Sequence, residues 1–208
     1  MEVSNRALDE AEVAAAGQTL ADAFHDDPLQ VHVFPDPVER ARCSPAQFAI
    51  LVREGCLFGE VHATQGLTGL SVWLPPGNVV TPEKAAQSGF QQLPELMGRA
   101  SFERFGLVLD YLSSAHGKVM PAAHWYLMLV GVRPDRQGGG QGRALLAPIM
   151  ARADAAGVPI CLDTAQEKVK PFYERLGFRV LLETVDPASG LRLWTYQRDP
   201  VRTAAARQ

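Results

Sequence analysis

The sequence predicts an α/β fold with two parallel strands at the centre of a sheet and antiparallel strands beside them. This prediction depends on the order of patterns between residues 124 and 198. An apolar strand, a glycine-rich turn and a helix come first, then a second strand, a short helix and two closing strands. Strands joined through a helix are expected to lie parallel, whereas strands joined by a short turn are expected to lie antiparallel.

The amino-terminal half is predicted to begin with helices. Apolar residues at helical spacing predict a first helix in "NRALDEAEVAAAGQTLADAF", which stops at "HDDP". A proline-rich connection, "FPDPVERARCSP", then leads to a second helix in "AQFAILVREGCLFG". Two short strands are expected around Gly66, and they end at a Pro-Pro-Gly turn.

A helical segment of about residues 82–118 separates these strands from the rest of the sheet. Its clearest amphipathic pattern is "PELMGRASFERFGLVLDYLSSA". The next strand is "HWYLMLVGV", and the helix "GRALLAPIMARADAAG" follows the glycine-rich turn. Pro148 lies inside that helix and is expected to bend it or to break it locally.

The last elements alternate again between strand and helix. "VPICLDT" is predicted to be a strand, and "VKPFYERLGF" a short helix that stops at Gly177. "RVLLETV" and "GLRLWTYQR" complete the sheet as two strands. The pattern predicts one domain over residues 1–200 and a flexible tail over residues 201–208.

Composition excludes several classes of function. The formal net charge of -3 gives no electrostatic reason to expect a nucleic-acid or membrane partner. The three cysteines share no metal-ligand spacing, so we expect reduced thiols and no metal site. There is no basic-then-apolar leader and no apolar run long enough to span a bilayer. A soluble, cytoplasmic protein is therefore predicted.

The segment "VRPDRQGGGQGRALL" places four glycines within five positions, immediately before a helix. Amides at a helix start have no intrahelical partner, and the helix dipole makes that end partly positive. Glycines allow an anion to approach those amides, so the segment predicts a phosphate site, with a tight packing turn as the alternative. Arg143-Ala144 rules out a P-loop, and the glycine spacing fails the dinucleotide fingerprint.

Two motifs together resemble the GNAT superfamily of N-acyltransferases. The first is Gln137-x-x-Gly140-x-Gly142, which is similar to its acyl-CoA pyrophosphate loop, and the second is "PFYERLGF", residues 171–178. They occur in the expected order over about residues 124–198. Earlier segments, "HDDP", "FPDPVER" and "VWLPPG", resemble the subgroup that includes puromycin N-acetyltransferase.

The resemblance implies a mixed, strongly twisted sheet of six or seven strands flanked by helices. It implies that a splayed pair of parallel strands holds CoA, and that acetyl-CoA is the acyl donor. Lys168 is expected to reach the adenosine phosphates, while Val169 stands where the superfamily often has asparagine. The residues expected to hold acetyl-CoA are Leu129, Val130, Gly131, Val132, Arg136, Gln137, Gly138, Gly139, Gly140, Gln141, Gly142, Arg143 and Lys168.

Tyr173 matches the position at which the superfamily carries its general acid, with a packed core aromatic as the alternative. Asp163 and His124 are the leading candidates for the general base, because a carboxylate or an imidazole can accept the amine proton. Gly131 permits a bulge that would present an oxyanion donor, although close packing explains it equally well. Cys161 raises a covalent alternative, which its apolar strand disfavours.

These observations predict an acetyl-CoA-dependent N-acetyltransferase acting directly on the amine of a small molecule, such as an antibiotic or an aryl or nucleoside-like amine. Acidic residues, Asp26, Asp27 and Asp163, favour a cationic acceptor. Candidates for an aromatic wall are Phe24, Phe34, Trp73, Trp125 and Tyr126, with core packing of most of them as the favoured alternative. Two alternatives stay open, a non-catalytic CoA-binding sensor or partner-binding protein, and a protein N-acetyltransferase. The fold implied by the resemblance often forms homodimers.

Overall fold

The computed structural model describes residues 3–5, 8–78, 80–120 and 123–201. The strands are β1 (Val3–Asn5), β2 (Glu60–Thr64), β3 (Gly69–Leu74), β4 (Trp125–Val132), β5 (Ile160–Thr164), β6 (Arg179–Val185) and β7 (Arg192–Arg198). The helices are α1 (Glu10–Ala23), α2 (Pro28–Val33), α3 (Pro37–Phe58), α4 (Pro82–Ser88), α5 (Leu93–Met97), α6 (Arg99–Val119), α7 (Gln141–Ala156) and α8 (Lys170–Arg175).

The strands form one seven-stranded sheet in the order β1-β2-β3-β4-β5-β7-β6. The β4–β5 pair is parallel, and every other neighbouring pair is antiparallel. This confirms the predicted α/β fold, with a parallel pair inside an otherwise antiparallel sheet. No helix in the described part of the chain is both long and apolar enough to cross a membrane.

Helices cover both faces of the sheet and bury an apolar cluster on each. On one face, Leu146 of α7 and Tyr173 of α8 pack with Leu162 of β5. On the other face, Leu20 of α1 and Phe48 of α3 are buried in a second cluster. Because successive side chains of a strand point to opposite faces, each central strand contributes to both layers.

The first helix ends before "HDDP", as predicted, but a further helix, α2, begins there and was not predicted. The prediction of a connection at "FPDPVERARCSP" was wrong, because α3 starts at Pro37 inside it. In both cases an aspartate side chain, Asp27 or Asp36, caps the helix and a proline occupies its first turn. Proline is favoured at that position because its missing N–H would have no partner there.

Proline and glycine had different effects inside the helices. α3 and α7 continue through Pro45 and Pro148, so no local break occurs at Pro148. The amphipathic insert, in contrast, is divided at Gly98, whose φ of +78° ends α5 before α6 begins. β1 was not predicted, and of the predicted tail only Val201 lies within the described residues.

A partly buried ion pair joins the end of α7 to the end of β7. The Arg198 guanidinium donates from Nη1 and Nη2 to the two carboxylate oxygens of Asp154, at 2.7 and 2.8 Å. Its Nε donates to the Leu176 carbonyl, and the Val201 amide donates to Asp154. The Arg198 side chain is only 6% exposed, so the Asp154 carboxylate compensates for the water that the buried guanidinium has lost.

Candidate active site

The central parallel strands separate soon after they meet. β4 and β5 pair only at Trp125 with Ile160 and at Tyr126 with Cys161. Beyond these two pairs the strands diverge, and a cavity of about 580 Å³ occupies the gap. Every residue predicted to hold acetyl-CoA lines this cavity except Gly139.

The glycine-rich turn forms the outer end of the cavity. Gly138 and Gly140 have φ values of +80° and +81°, in the left-handed region that favours glycine. A Cβ at either position would meet no atom within 4 Å, and no side chain caps the first turn of α7. These amides are therefore open to the cavity and fit the diphosphate of the predicted donor.

Neighbouring side chains fix the shape of this turn. The Gln137 side chain donates from Nε2 to the Val132 carbonyl at 3.0 Å. The Gln141 side-chain oxygen accepts from the Thr68 hydroxyl at 3.2 Å. Both contacts hold the turn against the end of the sheet. A Cβ at Gly142 would lie 3.3 Å from the Phe172 ring, so this glycine serves close packing.

Basic side chains surround the same end of the cavity. Arg143 and Lys168 are exposed and line it. Arg136 also lines the cavity, and its Nε lies 3.4 Å from an Asp135 carboxylate oxygen. Lys170 lies elsewhere, with its Nζ 4.2 Å from the centre of the Trp194 ring. The positive charge near the turn therefore comes from side chains that a phosphate group can reach.

Gly140→Ala is expected to weaken acetyl-CoA binding about tenfold, because alanine resists the left-handed backbone on which the amide cradle depends. The matched control is Gly157→Ala at the other end of α7, where φ is +68° and a Cβ also meets nothing within 4 Å. Both variants are expected to lower the free energy of unfolding by about 1 kcal/mol. Calorimetric titration with acetyl-CoA and chemical denaturation measure the two effects, and an equal loss of affinity in both variants would contradict the cradle.

Tyr173 lies between the core and the cavity. Its ring packs against Phe178 and Tyr196, and the residue is 7% exposed and lines the cavity. Within the described ranges its hydroxyl has no hydrogen-bond partner. Burial raises the pKa of Tyr173 well above its ordinary range, and the nearby Asp27 carboxylate adds to this effect. The phenol is therefore protonated at neutral pH and can act as a proton donor.

Asp163 lines the same cavity but projects from the opposite face of the sheet, since it follows Leu162 along β5. Its Oδ2 accepts from His116 Nδ1 at 2.8 Å and from the Tyr126 hydroxyl at 3.2 Å. Its Oδ1 accepts from the Thr195 hydroxyl at 2.5 Å. Three donors thus fix the orientation of the carboxylate at the point where the strands separate.

His124, the second candidate base, does not line the cavity. Its Nε2 lies 3.2 Å from Nε2 of His116, so both candidate bases are joined through a residue that the sequence analysis missed. His116 lies in the last turn of α6, and its side chain is 18% exposed. The one hint to His116 in the sequence is its place beside an apolar position of the helix, Ala115, which is buried. No sequence pattern links His116 to Asp163.

Asp27 is a further acidic residue at the cavity. Its Oδ1 accepts from the Leu29 amide at 2.9 Å and caps α2, as a loop aspartate commonly does. It is 9% exposed and also lines the cavity. Burial is the main cause that raises the pKa of Asp27 to about 6. The neighbouring Asp26 is exposed and is absent from the cavity wall.

Most residues of the candidate aromatic wall pack in the core, as the favoured alternative expected. Phe34 and Trp73 are completely buried, and Trp125 belongs to the core cluster beneath α7. Phe24 does line the cavity, whereas Tyr126 contributes its hydroxyl to Asp163. Large aromatic side chains supply most of the apolar area that a core needs, so burial prevailed over exposure at the site.

Two further alternatives are resolved by the local geometry. The bulge in β4 occurs at Met128, because Val72 pairs with Leu129 and the next residue of β3 pairs with Leu127. Gly131 instead permits close packing, since a Cβ there would lie 2.8 Å from Leu20. Burial raises the pKa of the Cys161 thiol to about 12, which disfavours the thiolate that covalent transfer requires.

In the described part of the chain, no group of three or more histidine, cysteine, aspartate or glutamate side chains could hold a metal ion. The polar groups that line the cavity include two carboxylates, a phenol, open amides and basic side chains. Together they can bind a diphosphate at one end and exchange protons at the other.

Two comparisons by sequence both match this chain to acetyltransferases. The family model "Acetyltransferase (GNAT) domain" matches residues 103–180. An uncharacterized N-acetyltransferase of Schizosaccharomyces pombe, C550.08, is 31% identical over 170 residues, which cover 78% of this chain and 69% of the relative.

Two solved structures share the fold. The "histone acetyltransferase HPA2 and related acetyltransferase" of Corynebacterium glutamicum has a TM-score of 0.68 and 20% identity, covering 99% of this chain and 100% of that one. The polyamine N-acetyltransferase of Drosophila melanogaster, which forms N-acetylagmatine, has a TM-score of 0.62 and 16% identity, covering 95% and 100%.

Proposed function

The chain belongs to the GNAT acetyltransferase family and is an acyltransferase, and from this premise we propose that it acetylates the amine of a small cationic molecule. The donor in this family is acetyl-CoA. The observation that carries the proposal is the placement of Tyr173 and Asp163 on opposite faces of the sheet, at the gap between β4 and β5. A proton donor and a proton acceptor thus flank one reaction centre.

The donor half of the site is built mainly from backbone. The open amides of the turn, with Arg136, Arg143 and Lys168 around them, bind the diphosphate and the neighbouring phosphate. The free edge of β4 from Leu129 to Val132 pairs with the extended arm that carries the thioester. Val169 contributes an apolar contact in place of an asparagine amide. When bound, acetyl-CoA supplies an activated acetyl group at the inner end of the cavity.

Three groups then serve the transfer. Asp163 accepts a proton from the amine, which must be neutral to attack. Backbone N–H groups at the Met128 bulge donate to the carbonyl oxygen as negative charge develops on it. Tyr173 donates its proton to the departing sulfur. These groups act on the nitrogen, the carbonyl oxygen and the sulfur, and none of them attacks the acetyl group. The proposed transfer therefore goes directly from acetyl-CoA to the amine.

The acidic side chains support a cationic acceptor. Asp27 and Asp163 are the carboxylates that line the cavity, and one can hold a second ammonium group of the acceptor while the other takes the proton. The similar fold of the Drosophila polyamine enzyme agrees with this class of acceptor. Puromycin-like antibiotics and aryl or nucleoside amines belong to the same proposal. The homodimer and the cytoplasmic location stay predictions.

Thiol release from acetyl-CoA, measured over a panel of amines, tests the proposal. The panel contains agmatine, spermidine, an arylalkylamine, puromycin and a peptide with a free amino terminus. We expect the highest kcat/KM for a diamine, and Asp27→Asn is expected to raise its KM about tenfold, as a lost charged hydrogen bond does.

The matched control is Asp26→Asn, which removes an exposed carboxylate one residue away and should leave KM unchanged. If the peptide were the one compound acetylated, the proposed acceptor would be a protein amino terminus and not a small molecule. If no amine in the panel is acetylated although acetyl-CoA binds, the proposed class of acceptor is contradicted.

A further inference from the structure

His116 connects the helical insert to the proposed base. It reaches from α6 across the face of the sheet to Asp163 on β5. The His116 ring also lies edge-on to the Tyr126 ring, with centroids 5.2 Å apart, and against the His124 ring at 5.1 Å. With Thr195, these residues form what we term the Asp163 network.

The hydrogen bonds determine where the protons lie. An ionised carboxylate only accepts, so Nδ1 of His116 carries a proton that it donates to Asp163. One proton lies between the two Nε2 atoms at 3.2 Å. When both rings are neutral, His116 therefore accepts at Nε2 and His124 donates to it.

We propose that His116 is a positioning residue that holds Asp163 in its charged, proton-accepting state, and that proton uptake by the two histidines switches Asp163 off. When the pair takes up one proton, the His124 Nε2 proton passes to His116 Nε2 and the added proton binds the other ring nitrogen of His124. His116 is then an imidazolium that donates to Asp163 from Nδ1 and to His124 from Nε2. Asp163 is then the partner of a positive charge, and its affinity for the amine proton falls. This inference rests on the proposed function.

The other groups around the pair keep their charge. From β4, Tyr126 faces His116, and burial raises the pKa of its phenol well above the ordinary value, with Asp163 as a further cause. From β5, Cys161 is a neutral thiol because burial raises its pKa to about 12. From β7, Thr195 is an uncharged donor. Within the described part of the network, the proposed proton exchange therefore involves the carboxylate and the two imidazoles.

A pair of variants at residue 116 separates positioning from packing. The amide of His116→Asn can donate to Asp163 from nearly the same place as Nδ1, but it does not titrate. We expect this variant to retain kcat within about threefold at pH 8, the loss of one well-replaced hydrogen bond being small. His116→Leu removes the donor and is expected to lower kcat by about 10- to 100-fold, which is typical of a disturbed buried charge.

The pH profile is the decisive activity measurement. Proton uptake by the two histidines should make the wild-type kcat fall as pH decreases. In His116→Asn this fall should move to lower pH. The control is His62→Asn, a buried histidine on β2 that bonds to Glu60, and its profile should match the wild type. An unchanged profile in His116→Asn would overturn the inference.

Nitrogen NMR of the histidine rings supplies a readout without turnover. At pH 8, His116 should carry its proton on Nδ1, and Asp163→Ala should shift this tautomer. An Nε2–H tautomer in the wild type would overturn the inference. If the wild type acetylates no amine, the proposed function fails.

The switch is then tested by the carbon NMR shift of the Asp163 carboxyl group. This shift must follow the titration of the histidines for the switch to stand, and an independent titration would overturn it.

Discussion

Tyr173→Phe is expected to lower kcat of acetyl transfer by about 10²- to 10³-fold, which is the range for loss of a positioned proton donor. The affinity for acetyl-CoA should change little, because the ring and its contacts with Phe178 and Tyr196 are kept. Steady-state kinetics of thiol release and calorimetric titration with acetyl-CoA measure the two quantities on the same protein.

The reason for this effect lies in the surroundings of the phenol. Burial raises the pKa of Tyr173, so the hydroxyl keeps its proton until a stronger base appears beside it. A thiolate leaving inside the same apolar cavity is destabilised by the same lack of water, which raises its own affinity for a proton. Transfer of the proton from oxygen to sulfur neutralises the thiolate and leaves a phenolate, which regains its proton from water before the next turnover.

Tyr196→Phe is the matched control for this prediction. Tyr196 belongs to the same apolar cluster, is completely buried, and has a hydroxyl without a hydrogen-bond partner among the described atoms. Loss of that hydroxyl should leave kcat near the wild-type value. Equal losses in both variants would assign the effect to packing, and unchanged activity in Tyr173→Phe would move the acid role elsewhere.

Asp154→Asn is expected to lower the free energy of unfolding by about 2–3 kcal/mol, because it leaves the Arg198 guanidinium buried without its charged partner. We place the effect below that of a fully enclosed pair because the Asp154 side chain is 23% exposed. Chemical denaturation at pH 7 measures it. Glu103→Gln, which breaks an exposed pair with Arg99, should cost at most about 0.5 kcal/mol.

The pH dependence of this difference has a definite sign. The Arg198 hydrogen bonds lower the pKa of Asp154 in the folded state. The carboxylate therefore contributes its full stability above the pKa of the unfolded chain, near 3.9 for aspartate, and loses it as pH falls further through the folded value. The difference between wild type and variant should be constant from about pH 6 to 8 and shrink below about pH 4. A difference that grew in acid would contradict the ion pair.

The carboxy-terminal half of the fold could be predicted closely from the sequence. Strand β6 was predicted with the bounds that the structure gives it, and β4, α7 and β5 within a few residues. In these segments hydrophobic period, glycine stops and turn residues favour the same structure, so local preference and tertiary packing agree. Near Pro37 and Pro45 they disagree, because proline both starts a helix and interrupts one.

In the candidate site, too, some residues could be predicted from the sequence and others could not. The donor cradle depends on a contiguous motif, so its residues can be placed from sequence. His116 is 47 positions from Asp163 along the chain, and their contact exists only because α6 crosses the sheet. The Met128 bulge has a similar origin, since it depends on how β3 and β4 align rather than on either strand alone.

The short contact between β4 and β5 places an edge inside the sheet. An unpaired strand edge at the rim of a protein invites another chain to add to it, and proteins usually cover such edges. Here Phe24 and Phe172 stand at the walls of the gap, and in the proposed function a slender extended ligand takes the place of a missing strand. In the proposed donor site, the arm of the ligand meets main-chain groups of β4, which substitutions short of proline preserve, whereas the turn that meets the phosphates depends on its glycines. The side chains around the acceptor are then free to diverge while donor binding persists.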